Sequence, residues 1–135
     1  MLFSPEAHES LANEPWSAER ARTAIASIVA DAESAFDDGW PLHPQDKEDD
    51  DDPAARFRTV FIGGAGVVDA LHRLARRGLI EVGRAYVPYL ERSLESQPDF
   101  PGEDPDRSLL VGETGIRLVL QRLALPRPIS SVCRS

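Results

Sequence analysis

Apolar residues return at helical spacing in four stretches of the chain. From Ala18 onward, Ala21, Ala24, Ile25, Ile28, Val29, Ala32 and Phe36 recur every three or four residues, the spacing of one buried stripe on a helix. Ser17 stands where an N-cap belongs, and Gly39 predicts a stop after about Asp38. A second helix is predicted from Gly64 or Ala65 to Arg77, with Val67, Val68, Leu71, Leu74 and Ala75 inward and Gly78 ending it. A third stretch, Ile80 to Glu95, gathers Val82, Tyr86, Tyr89, Leu90 and Leu94 on one side. Pro88 falls inside it, so this helix kinks there or starts just before it. The last helix, about Glu113 to Ala124, turns Ile116, Val119, Leu120 and Leu123 inward and stops before Pro126. The expected fold class is all-α with long loops, in a single unit spanning residues 1–135.

The segments between these stretches read as connections. Residues 1–16 form an extended lead-in. In Trp40-Pro-Leu-His-Pro44 two prolines stop any helix, while Trp40 and Leu42 can anchor the segment on a core. An acidic loop over residues 46–56 follows, and its Asp46 to Asp52 stretch has six carboxylates in seven residues. Such a run repels itself and is solvated. It has neither the alternation of ligands and spacers nor the glycine turn that a calcium loop needs. Residues 97–106 read as another loop, and 126–135 as a tail outside the helical pattern.

The second and fourth helices carry the most information. Phe61-Ile-Gly-Gly-Ala-Gly-Val-Val-Asp-Ala-Leu-His-Arg-Leu74 aligns without gaps on Leu110-Val-Gly-Glu-Thr-Gly-Ile-Arg-Leu-Val-Leu-Gln-Arg-Leu123. The offset is 49 residues, pairing Gly63 with Gly112, Gly66 with Gly115, Leu71 with Leu120, and Arg73-Leu74 with Arg122-Leu123. A period of this size predicts a repeated helical hairpin, as in an array or a closed ring. Gly63, Gly66, Gly112 and Gly115 are the structural site residues of this reading. A Gly-x-x-Gly start leaves one side of the first turn without Cβ atoms, so a neighbouring backbone can approach. Glycine costs about 1 kcal/mol relative to alanine inside a helix, which makes a doubled pair a packing requirement. A phosphate-binding loop is the sharper alternative, but no Lys-Ser/Thr follows the glycines and no strand precedes them.

Gly63-Gly-Ala-Gly-Val-Val-Asp-Ala-Leu-His-Arg-Leu-Ala75, followed by Ser108-Leu-Leu-Val-Gly-Glu-Thr-Gly-Ile116, resembles successive inner helices of lanthionine synthetase C-like proteins. Pro15-Trp16 and Trp40-Pro-Leu-His-Pro44 are similar to the bacterial branch, so the resemblance spans most of Phe3 to Pro126. It implies an (α/α) toroid in which inner and outer helices alternate around a ring, here an incomplete one built of helical hairpins. The family adds a cysteine thiol to a dehydrated serine or threonine of a peptide, forming a thioether. Its zinc, held by two cysteines and a histidine from later repeats, lowers the thiol pKa. The chain departs from the family by ending before those repeats. The resemblance therefore implies an N-terminal fragment that is inactive alone, with no catalytic residue, no metal site and no cofactor of its own; zinc and a peptide substrate belong to the full-length protein. Two other classes remain open. One is a helical-repeat interaction module without catalysis. The other is a fragment of a different α/α toroid, such as a six-hairpin glycosidase, which would need paired carboxylates in a cleft.

Charge and cysteine usage narrow this further. The net charge of −8 argues against a nucleic-acid footprint. The densest basic group, Arg73, Arg76 and Arg77, sits in a predicted last helical turn, where cations meet the negative end of the dipole. The longest run free of polar side chains, Val60 to Val68, is too short to span a membrane. No basic and apolar leader opens the chain, and Cys133 is the only cysteine, so a cytoplasmic location without disulfides is expected. Cys133 with His8, His43 or His72 supplies no closed tetrahedral zinc set. Glu113 and Asp69, near the starts of their helices, read as partners of the positive dipole end. An incomplete ring leaves helix faces uncovered, which predicts self-association.

Overall fold

The computed structural model describes residues 15–42, 55–96, 99 and 108–125. Among the described residues there are four helices and no strand: α1 (Ala18–Ser34), α2 (Gly64–Arg76), α3 (Val87–Glu95) and α4 (Glu113–Ala124). The lead-in before Pro15, the acidic run, most of the 97–106 loop and the 126–135 tail lie outside the described residues.

Local chemistry explains each boundary. Ser17 caps α1, its hydroxyl accepting from the Arg20 amide at 3.3 Å. Contrary to the expected end near Asp38, α1 stops at Ser34. The Trp40 indole donates to the Ala32 carbonyl at 2.6 Å, taking the acceptor that a continuing helix would offer to the Phe36 amide. Asp38 and Gly39 then turn the chain at positive φ. α2 ends as expected on Gly78 (φ 69°), with the Leu79 amide donating to the Leu74 carbonyl across the turn. α3 does not extend back to Ile80. It starts at Val87, so Pro88 lies in the first turn, where its missing N–H and its ring are tolerated. The segment before it is tied to α1 instead: the Gly83 amide and the Tyr86 hydroxyl both donate to Glu33 Oε1, at 2.9 and 3.3 Å. α4 matches its expected bounds.

The core gathers Ala65, Val68 and Leu71 of α2, Tyr86 at the N-cap of α3 with Tyr89 and Leu90, and Ile116 and Val119 of α4. Full burial of a side chain such as Leu90 stabilises by about 2 kcal/mol. Phe36, Trp40, Tyr86 and Tyr89 cluster on one side of it with ring centroids 4.8–6.0 Å apart, edge to face except for Trp40 and Tyr86, which are tilted at 38°. The expected buried stripe of α1 is not buried. Only Val29 reaches the core fully, Ile25 and Phe36 pack partly, and Ile28 is 67% exposed. α1 is tied instead by Trp40 to the Ala32 carbonyl and by Gly83, Arg84 and Tyr86 to Glu33, and Ala24 and Ile28 of its apolar stripe stay exposed.

Candidate functional site

The two glycine-led helix starts have one backbone conformation. Gly63 caps α2 at φ −121°, ψ −175°, and Gly112 caps α4 at φ −128°, ψ −179°. Three residues on, each helix has a glycine pressed by a carbonyl from the preceding turn. A Cβ on Gly66 would run into the Val60 oxygen, and a Cβ on Gly115 into the Leu109 oxygen. Val60 and Leu109 are again 49 positions apart. A Cβ on Gly63 would come within 2.5 Å of the Phe57–Thr59 backbone. The close approach at these glycines thus comes largely from each helix's own lead-in folding back over its first turn.

That folded lead-in takes up the first amides of α2. Gly64 donates to the Phe57 carbonyl at 2.9 Å, Ala65 to Arg58 at 3.0 Å and Gly66 to Gly63 at 3.1 Å. Amides engaged in this way do not cradle a phosphate. The Asp99 carboxylate holds the same lead-in by accepting from the Arg58 and Thr59 amides at 2.8 and 2.9 Å. Gly64, which the alignment left without a role, lies under the Tyr89 hydroxyl, so that a Cβ there would collide with it. Burial pushes the Tyr89 phenol above its usual range, and its hydroxyl has no hydrogen-bond partner among the described residues. Tyr86 is pushed up to about 12, chiefly by burial and then by the negative charge of Glu33, with Arg84 opposing.

The two starts lie side by side. The Phe61 amide donates to the Leu110 carbonyl at 3.0 Å, and the Val60 side chain rests on Gly115. Further along, Asp69 joins the helices: it accepts from Arg73 Nε at 2.8 Å and from Arg122 Nη1 at 3.1 and 3.2 Å. Asp69 is therefore not the dipole partner its sequence position suggested. It lies beyond the first turn of α2, is 9% exposed, and binds the two arginines that the alignment pairs. Its distant partner Arg122 could not be read from local spacing. Glu113 does sit in the first turn of α4, and it also pairs with Arg117 at 2.7 Å.

Asp69, His72, Arg73, Arg76 and Arg122 line a cleft of about 280 Å³. Three guanidinium groups surround its one carboxylate, and among the described residues no group of three His, Cys, Asp or Glu side chains could hold a metal. The described residues do not fit zinc, since His72 shares the cleft with cations and a carboxylate already engaged by arginine. His8, His43 and Cys133 lie outside the described residues. No described helix is long and apolar enough to cross a membrane.

No family model, curated protein or solved structure matches the chain. The functional reading therefore rests on the chain's own residues and on the resemblance of its two glycine-led segments.

Proposed function

We propose that the chain is the opening arc of a lanthionine synthetase C-like (α/α) toroid, with α2 and α4 as successive inner helices. Its part in thioether formation is to build the ring wall, while the zinc ligands come from later repeats. On this reading the chain alone is inactive and holds no zinc. The observation that carries it is the common start of α2 and α4. Both open on a glycine of nearly equal φ and ψ, both press a second glycine against the carbonyl six residues earlier, and the two lie in contact. The test is to read the DNA beyond Ser135 in all frames and, if the frame extends, to express the longer protein. A cysteine followed by a Cys-His pair, with one zinc per longer chain and none in the 135-residue chain, is the expected result. Stoichiometric zinc in the 135-residue chain would contradict it.

A second reading, a helical interaction module without catalysis, draws on a different observation. Phe61, Leu109 and Leu110 stand 68%, 49% and 51% exposed beside the glycine-led starts, an apolar display suited to protein contact. Association of the chain without any zinc-dependent activity of an extended form would favour it.

A further inference from the structure

α2 and α4 start alike but are covered on different faces. In α4 the buried positions are Gly115, Ile116 and Val119. Val60 packs over the first of them, its Cγ2 only 2.7 Å from where a Cβ on Gly115 would stand. At the matching positions of α2, Gly66 and Val67 are half-buried and Ala70 is exposed. These three form part of the wall of an open groove of about 560 Å³, flanked by Phe61. The counterpart of Val60 in the later unit is Leu109, which is half exposed beside the equally exposed Leu110. One end of the α2–α4 pair thus presents an open groove, and the other presents Leu109, the counterpart of the Val60 side chain that packs on Gly115 inside the chain.

We propose that a second copy of this chain docks head to tail on this groove, with its Leu109 over Gly66, Val67 and Ala70. The docking continues the internal α2–α4 contact from one molecule to the next. The backbone can continue it too: within the chain the Phe61 amide donates to the Leu110 carbonyl, and between copies the Leu110 amide donates to the Phe61 carbonyl. Groove and filler are different surfaces, so the interface is heterologous and builds a ring or an open chain of copies. The inference rests on the equivalence of the two helix starts and not on the thioether-forming reading, which has its own test in the DNA beyond Ser135.

Sedimentation velocity of the full chain over a range of concentrations tests it, with Ala70→Arg and Leu109→Arg as variants. Both side chains are exposed, so neither change disturbs the core, and each lowers the net negative charge, so neither adds repulsion. The wild-type chain is expected to associate reversibly beyond the monomer. Each variant alone should weaken association by at least about tenfold, because either surface is enough to break the contact. Mixed together, the two variants should form a one-to-one complex that grows no further, since one keeps the filler and the other keeps the groove. A monomer at every concentration, association unchanged in the variants, or no complex on mixing would overturn the proposal.

Discussion

α2 and α4 begin with the same turn of backbone, yet α2 buries Gly64, Ala65, Val68 and Leu71 whereas α4 buries Gly115, Ile116 and Val119. Shifted onto α2, the buried set of α4 falls on Gly66, Val67 and Ala70, two residues on from Gly64, Ala65 and Val68, so the covered faces are turned by about 160° and lie on nearly opposite sides. The glycine-led start sets how the chain enters each helix. The neighbours present at that place in the molecule set which face is covered. α2 has Tyr89 over Gly64 and Asp99 holding its lead-in, while α4 has Val60 over Gly115.

The sharpest contrast should come from the matched leucines. Leu71 is 3% exposed and Leu120 only half-buried, so Leu71→Ala should cost about 3 kcal/mol in urea unfolding and Leu120→Ala about 1 kcal/mol. Equal losses would mean that the two faces are covered alike. Next come the glycines. Helix propensity alone predicts that Gly66→Ala and Gly115→Ala stabilise by about 1 kcal/mol. The carbonyls of Val60 and Leu109 reverse that sign, and both variants should destabilise by about 1–3 kcal/mol, Gly115→Ala more because Val60 also crowds it. A stabilised variant at either position would break the equivalence.

Gly64 separates the two starts, since Glu113 occupies its place in α4. Gly64→Ala should destabilise through the Tyr89 hydroxyl, and adding Tyr89→Phe should recover about 1 kcal/mol as coupling in a double-mutant cycle by removing the obstruction. Strict additivity would show that the phenol does not press on Gly64. The smallest effect concerns the other tyrosine. Tyr86 is raised from 10.0 to about 12 in the folded chain, so its protonated form is favoured by folding. Its contribution is complete below pH 10 and is lost as pH rises toward 12. Ultraviolet titration should find both tyrosines ionising above the usual range, and Glu33→Gln should bring the Tyr86 step earlier by removing the adjacent negative charge while leaving that of Tyr89 in place.

How much of this could be read from the sequence depends on where the deciding partner lies. The bounds of α4 and the starts of α2 and α4 follow from glycines, prolines and apolar spacing within a few residues. The end of α1 did not follow, because the Trp40 indole claims the Ala32 carbonyl from eight residues away. The start of α3 was half legible: Pro88 marked it, while the ties of Gly83 and Tyr86 to Glu33, some 50 residues distant, were invisible. Asp69 was misjudged for the same reason, its partner Arg122 being 53 residues on. The open groove had a trace in the alignment, where Ala70 stands against Val119, a small residue where its match is large and apolar.

The contact between the two helix starts is what everything else depends on, and nuclear Overhauser spectroscopy of the 135-residue chain reads it directly. Cross-peaks between the Val60 methyls and the Gly115 α-protons, with a Phe61 amide protected from exchange, are the predicted result. Helical α2 and α4 without those cross-peaks, and with Phe61 exchanging freely, would contradict it.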